Sequence, residues 1–305
     1  MDTSVAKTTP SRLSVSAIRD FNKCSWYYKL ARIDKVPEDD HTYTHHRWAG
    51  SVVHAAFMLA YGKPIDDSAT KSSWRTEWKV DNNGTIEDSL ELFDMLWDGE
   101  FIATGSEDTV GYSRAQNAYR ALTKDAQLTP PEDRHFSFGA TKALKNPNNA
   151  SRKQAWKDYF RSMLESSLEE GLPYPVISLE QEAVFKQGDT DMLGFLDIVM
   201  EKPSGGKIYV DLKTGSRCPT DNELAFDDQM QTYYTIKDEK GNFPEEVWYH
   251  HMKTGTIMSV PRNEPMIEKM QETTPVIMEK IQNGDFVRNM GPDCLRCSRR
   301  SSCMG

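Results

Sequence analysis

The 305-residue chain has no apolar run long enough to cross a membrane and no apolar leader at its start. Neither a membrane span nor export is expected, and the setting read from the sequence is cytoplasmic. A Gly-x-x-x-x-Gly-Lys-Ser/Thr loop is also missing, so any unwinding of a duplex would fall to another protein. There is no excess of positive charge. The 37 Lys and Arg face 46 Asp and Glu, a formal net charge of -9, which argues against a protein that coats nucleic acid indiscriminately. Cysteine is scarce, with five residues, and in a cytoplasmic protein these are not expected to form disulfides. Apolar residues are not scarce: at 38% hydrophobic the chain can build a sizeable core, as one large domain or two small ones.

The charge is uneven. Residues 1–36 hold seven basic against three acidic side chains, and residues 286–305 hold four against one. The middle is acidic. Two basic ends that met in space would make a track for phosphates.

The chain is organised around Thr190 to Gly215, which reads as a β-hairpin. Its first arm, Met192 to Met200, sets Asp197 among Leu193, Phe195, Leu196, Ile198 and Val199. Pro203-Ser204-Gly205-Gly206 is a turn signal. The second arm, Lys207 to Lys213, ends Asp211-Leu212-Lys213. Alternation puts Asp211 and Lys213 on one face, within reach of Asp197 on the neighbouring strand. Two carboxylates and an ammonium at strand ends can hold a divalent metal and a phosphate together. A surface cross-strand pair is the bland alternative, but acids set in apolar strands are costly unless something pairs with them.

These residues resemble the core motif of the PD-(D/E)XK nuclease superfamily, in particular its RecB-like exonucleases, which include iron–sulfur CRISPR-associated exonucleases. There the metal-binding aspartate follows a glycine by a few residues, as in Gly194-Phe195-Leu196-Asp197, and Asp-x-Lys is often followed by Thr-Gly, as Thr214-Gly215 is here. The resemblance implies an α/β, restriction-endonuclease-like fold: a central mixed β-sheet flanked by helices in a single domain over 1–305, with a helical insertion and an iron–sulfur clasp joining the two ends.

Along the chain, residues 1–10 are polar and expected to be disordered. Leu13 to Ile33 has helical spacing with Ser14 or Ser16 as N-cap, and it resembles the branch's N-terminal segment, in which the cysteine (here Cys24) begins the cluster site. Gly50 to His54 matches the branch's Gly-x-x-x-His helix, which implies that His54 faces the metal. A lone helical histidine is more often structural, and His45 and His46 carry little weight. Residues 63–150 read as a helical insertion, with helices over Ser89 to Phe101 and Ala115 to Leu122 and breaks at Pro130-Pro131 and Asn146 to Asn149. Ser151 to Glu170 reads as a helix and Tyr174 to Lys186 as a strand whose Glu180 and Glu182 share a face, Glu182 being a candidate extra ligand. Asp221 to Lys237 reads as one helix. Gln229 and Tyr233 fit the branch's Gln-x-x-x-Tyr element, one turn apart, and the resemblance implies that they lie beside the active site and contact DNA; Gln231 and Tyr234 offer a shifted register. Glu246 to Lys253 reads as a strand and Pro261 to Gln282 as a helix.

Cys294-x2-Cys297-x5-Cys303 is a compact triplet that needs a fourth ligand, and its spacing alone fits zinc or iron–sulfur equally. The resemblance supplies Cys24 and implies a 4Fe-4S cluster that ties residues 286–305 to the N-terminal segment. Cys218 reads as a free thiol. By the same resemblance His54, Asp197, Asp211 and the Leu212 carbonyl would ligate Mg2+ or Mn2+, Lys213 would orient water, and Gln229 and Tyr233 would place the strand. The activity implied is a metal-dependent DNA exonuclease acting on single strands or DNA ends, alongside a recombinase, helicase or integrase. Two rivals stand: a CRISPR-type spacer-processing subunit, and a non-catalytic DNA-binding recombination partner.

Overall fold

The computed structural model describes residues 10–37, 45–64, 78–98 and 148–304. Two short strands, β1 (Gly62–Pro64) and β2 (Trp78–Val80), pair antiparallel by themselves. Five more form one mixed sheet in chain order: β3 (Val176–Gln187), β4 (Thr190–Glu201), β5 (Lys207–Lys213), β6 (Glu246–His251) and β7 (Thr256–Ser259). Only β5 and β6 run parallel. Parallel neighbours need a crossover connection, and residues 214–245 supply it, carrying the helices that form one wall of the site. β5 is the middle strand, which explains its near-continuous apolar run.

Each face of the sheet has its own core. On one side Ile208, Val210 and Leu212 of β5 and Ile198 and Met200 of β4 pack with α3 (His45–Leu59), α4 (Ile86–Asp98) and α5 (Asn148–Glu170). On the other, Leu196, Val199 and Tyr209 meet Leu224, Met230 and Tyr233 from α6 (Asp221–Ala225) and α7 (Asp228–Tyr233), with Ile267 from α8 (Glu264–Asn283). A third cluster joins Leu13, Ala17, Phe21 and Tyr28 to Met192 and to Ile277 and Ile281 of α8. A 3-10 turn over Pro292–Arg296 and a short helix, α9 (Arg300–Met304), follow α8.

Three sequence expectations need correction. Leu13 to Ile33 is not one helix. Ser14 caps α1 (Val15–Lys23) by accepting from the Ala17 N–H at 3.2 Å. Cys24 then turns extended and caps α2 (Ser25–Tyr28), its sulfur accepting from the Tyr27 N–H at 3.4 Å, and a π turn follows over Lys29–Ile33. Asp221 to Lys237 also breaks, at Phe226-Asp227. Thr220 and Glu223 close a capping box on α6, and the Asp227 carboxylate restarts the chain as α7 by accepting from the Gln229 and Met230 N–H groups. Two strong N-caps seven residues apart, Thr220 and Asp227, outweigh the continuous helical spacing. Within 63–150 the described residues hold strand as well as helix. The proposed helix over Ala115 to Leu122, the Pro130-Pro131 break and residues 1–9 lie outside the described residues, and α5 begins at Asn148, inside the expected second break.

The β3–β4 turn docks on α8 through an unusual contact. Pro275 lies inside that helix and has no N–H to offer the Gln271 carbonyl. Gly188, at φ +59°, comes so close to it that a Cβ there would stand 2.4 Å from the Gln271 oxygen.

Candidate active site

The site forms where β4 and β5 part. Their ladder runs from Glu201 opposite Lys207 to Ile198 opposite Val210. One step further, the Asp197 side chain takes over and accepts the Leu212 backbone N–H at 2.8 Å. Asp211, 1% exposed, points to the α7 side. Its Oδ1 accepts from Gln229 Nε2 and from the Tyr233 hydroxyl, each at 2.8 Å. Its Oδ2 pairs by charge with Lys213 Nζ at 2.5 Å but makes no hydrogen bond of regular geometry. Gln229 closes the ring: its Nε2 also donates to the Tyr233 oxygen at 2.8 Å, and its Oε1 accepts from Lys213 Nζ at 3.3 Å. The four residues beside Asp197 thus hold one another in fixed rotamers.

The register of α7 is set by these contacts. Gln229 and Tyr233 face Asp211. Gln231 turns away to donate to the Leu224 and Pro261 carbonyls, and the Tyr234 hydroxyl donates to the Val260 carbonyl. The shifted register serves the scaffold instead.

Burial pushes the Asp211 carboxyl up to about 6; the Lys213 charge opposes the rise, and the Asp197 charge adds to it. Burial also disfavours the Lys213 ammonium, but Asp211 and Asp197 more than offset this, so its pKa is raised. The Tyr233 hydroxyl is pushed well above its ordinary range by burial and by Asp211. Two acids that repel each other beside one ammonium make a negative pocket with spare oxygen lone pairs. That is the chemistry of a hard divalent cation site.

A family model for the PD-(D/E)XK nuclease superfamily matches residues 12–304. The chain belongs to this superfamily. No curated protein matches it. Among solved structures it is similar to the one titled "Crystal structure of SSO0001", at 14% identity and a TM-score of 0.29, over 52% of this chain and 80% of that one; so loose a likeness does not bear on the fold.

For this nuclease family member, divalent metal use is the expectation, and the carboxylates fit it: Asp211 Oδ2 is buried with the Lys213 ammonium as its partner, and Asp197 raises its neighbour's proton affinity in a way a cation would relieve. Among the described residues, no three His, Cys, Asp or Glu side chains are already grouped to hold a metal ion. His54 comes from the other face of the sheet. Its helix, α3, passes so close to the end of β5 that a Cβ on Gly50 would stand 2.8 Å from Thr214 Oγ1, and His54 lies within electrostatic reach of the buried His250. The side chains of His45 and His46 lie outside the described residues. Glu182 is exposed, opposite Phe195 on β3. Its neighbour Glu180, at φ +46°, is half-buried and falls opposite Asp197 in the β3–β4 register.

Sequence reasoning missed two residues near the motif. Asp227 lends its charge to Lys213 and lies 3.9 Å from Arg19; its Asp-x-Gln-Met context was a readable N-cap signal. His250 sits on β6 in register with Leu212, and nothing in an aromatic strand sequence marks it as special.

The two chain ends meet. The Trp26 N–H donates to the Val287 carbonyl at 3.1 Å, and Asn289 Nδ2 donates to the Lys23 carbonyl at 3.0 Å. Lys29 Nζ lies 4.9 Å and Arg288 Cζ 5.0 Å from the centroid of the Trp26 ring. Burial raises the Cys303 thiol, Arg288 opposes this, and Cys24, Cys297 and Cys294 add to the rise. Cys303 therefore lies within electrostatic reach of the other three sulfurs, and all four cysteines are half-buried and outside any disulfide. Four cysteines are the number of donors a cluster takes, but among the described residues no three of them are grouped to hold a metal ion. Cys218 stands apart, 3.5 Å from the Met258 sulfur.

Proposed function

We propose that this nuclease is a metal-dependent DNA exonuclease of the RecB-like iron–sulfur type, hydrolysing phosphodiester bonds from DNA ends in recombination, repair or phage DNA processing. The observation that carries the reading is the closed ring of Asp211, Lys213, Gln229 and Tyr233 beside Asp197. It fixes a carboxylate pair in which the buried Asp211 Oδ2 faces the Lys213 ammonium. Binding alone would not require that arrangement, which burial makes costly.

In this reading Asp197, Asp211, the Leu212 carbonyl and His54 hold Mg2+ or Mn2+. When bound, such an ion polarises the scissile phosphate and acidifies a coordinated water. Lys213 keeps its proton at Nζ, orients the attacking water and offsets charge that builds on the phosphorane. Gln229 and Tyr233 are positioning residues: they fix the Asp211 carboxylate and the Lys213 ammonium, and Tyr233, being buried, does not itself reach the strand. Cys24, Cys294, Cys297 and Cys303 hold a 4Fe-4S cluster that locks the clasp. The whole of 1–305 acts as one nuclease domain, with 63–150 as an insertion and 286–305 plus Cys24 as the iron–sulfur subdomain. The clasp brings Arg288 and Lys29 together at the Trp26 ring, with Lys23 nearby where Asn289 bonds its carbonyl, a basic region for DNA phosphates.

The test is a gel assay of anaerobically purified protein on end-labelled single- and double-stranded DNA, with Mn2+, Mg2+ or EDTA. Metal-dependent shortening from an end, lost in Asp211→Ala, is the expected result. Internal nicking with no end dependence would overturn the exonuclease reading. A brown, folded sample that cleaves nothing alone would move the assignment to a processing subunit that needs its integrase partner.

A further inference from the structure

Tyr249 stands beside the motif on the next strand, and nothing in the scaffold uses its hydroxyl. β6 runs parallel to β5, with Tyr249 in register with Asp211 and His251 with Lys213. Residues in register on neighbouring strands share a face and lie about 5 Å apart. Tyr249 therefore rises on the α7 side of the sheet, next to Asp211, and its ring packs at the edge of the core that holds Tyr233 and Met230. The ring also stacks on His251, at 6.4 Å and 20°. That imidazole is itself fixed: Nε2 donates to the Gly215 carbonyl and Nδ1 meets the Thr254 hydroxyl, each at 2.9 Å. The loop that leaves β5 is pinned over the same strands. Lys253 Nζ donates to the Ser216 carbonyl at 3.3 Å, and Cys218 reaches Met258, which pairs with Tyr249 from β7. Tyr249 thus stands between α7, which covers Asp211, and residues 214–218, which cover the β6–β7 side. Its ring is held, yet its hydroxyl makes no hydrogen bond among the described residues and is not sealed from solvent. Phenylalanine would fill the place equally well.

We propose that Tyr249 is a substrate-contacting residue: its hydroxyl donates to a phosphate oxygen of the DNA strand where the strand passes Lys213. A phenol is a neutral donor at physiological pH. The nearest acceptor in the protein is already served, because Asp211 Oδ1 takes Gln229 and Tyr233 and Oδ2 faces Lys213. A phosphate drawn to those groups is the acceptor that arrives with the substrate. Tyrosine is among the side chains that proteins turn to phosphates, and such contacts fix the register of a strand without reading its bases. The inference rests on the reading of Asp211 and Lys213 as the site of DNA cleavage.

The test is single-turnover cleavage of end-labelled DNA by the full-length protein with Mn2+, for wild type, Tyr249→Phe and Asp211→Ala. Tyr249→Phe keeps the ring and removes one donor to a charged acceptor. Its half-saturating concentration should rise about tenfold, with the saturated rate within about twofold of wild type. Its Mn2+ Kd and urea midpoint should match wild type, since the hydroxyl bonds nothing in the fold. Methylphosphonate placed at one phosphate at a time removes an acceptor oxygen. At one position it should weaken wild type while costing Tyr249→Phe nothing further. An unchanged half-saturation, or no such position, would overturn the phosphate contact. A weaker Mn2+ Kd or a lower urea midpoint would place the hydroxyl in the metal site or the core and overturn it too. If wild type cleaves nothing, or Asp211→Ala cleaves as wild type does, the reading of the site fails and takes the inference with it. If Asp211→Ala is inactive and Tyr249→Phe matches wild type, the inference fails alone. Should the phenylalanine variant not fold, Tyr249→Leu, which also lacks the donor, is measured and judged in the same way.

Discussion

The Asp197 carboxylate accepts the Leu212 backbone N–H at 2.8 Å, at the point where β4 and β5 separate. One side chain therefore finishes the ladder and also lends its charge to the site. The two roles can be separated. Asp197→Asn keeps an oxygen for the Leu212 N–H, so its unfolding free energy should stay within about 1 kcal/mol of wild type. Its metal-dependent cleavage should fall by more than about a hundredfold. Asp197→Ala should lose both, with about 1–3 kcal/mol of stability gone because the N–H is orphaned. Urea melts and single-turnover cleavage check this. An asparagine variant that cleaves at the wild-type rate would remove Asp197 from the ligand set.

Tyr233 donates to Asp211 Oδ1 and accepts from Gln229 within a buried ring. Tyr233→Phe leaves a Gln229 donor and a carboxylate oxygen each short of a partner. The expected cost is about 1 kcal/mol of stability and about tenfold in single-turnover rate. Loss of stability with an unchanged rate would mean that Tyr233 only packs.

Much of this site could be read because it follows from strand alternation. Asp197, Asp211 and Lys213 sit at positions where a two-residue period and one turn fix their side, and the structure has them there. The two strands of the hairpin were likewise legible from apolar runs of strand length, whereas the mixed sheet was implied by the family resemblance. Three features were not, each for a physical reason. The break at Phe226-Asp227 hides because Phe226 preserves the helical period; only the Thr220–Glu223 and Asp227 caps betray it, and caps are local signals that periodicity drowns. β1 and β2 are three residues each, too short for any alternation to register. The burial of His250 depends on α3 arriving from nearly 200 residues away, which no local pattern encodes.

The seam between the chain ends can be tested apart from any cluster. Ser25 Oγ donates to the Val287 carbonyl at 3.2 Å and accepts from the Val287 N–H at 2.8 Å, spanning one residue's two polar groups. Ser25→Ala should cost about 1 kcal/mol and leave iron content unchanged. Cys297→Ala should lower iron content and melting temperature together. Bound iron at wild-type levels in Cys297→Ala, or a melting curve that does not move, would separate the clasp from the cluster.

Gly188 is held against α8 by two constraints. Its φ of +59° strains any other residue, and a Cβ would sit 2.4 Å from the Gln271 oxygen and 2.7 Å from Pro275 Cγ. Neither neighbour is the free end of a flexible side chain. Gly188→Ala should therefore destabilise by on the order of 2–3 kcal/mol, through backbone strain and a forced shift of the turn. Denaturant midpoints read this directly, and an unaltered midpoint would show that the β3–β4 turn is free to leave the helix.

Glu223 gives a pH dependence whose sign is set by charge. Its carboxylate receives Arg217 Nη1 at 2.9 Å and Nη2 at 2.6 Å, and the Thr220 N–H at 2.8 Å. The guanidinium, and then that N–H, hold its carboxyl down from an ordinary 4.5 to about 2. A carboxyl depressed by folding adds stability above its unfolded pKa and loses it as pH falls towards the folded one. The window is therefore about pH 4.5 down to about 2. Glu223→Gln keeps an acceptor for the capping box but carries no charge, so other titrations largely cancel when the two proteins are compared. Wild type should melt slightly above Glu223→Gln at pH 6, with a gap that added salt shrinks because the pair is exposed. Below pH 4.5 the two curves should converge. A gap that held constant from pH 6 to pH 3 would mean that the hydrogen-bonded cap, not the charge, is what Glu223 contributes to the start of α6.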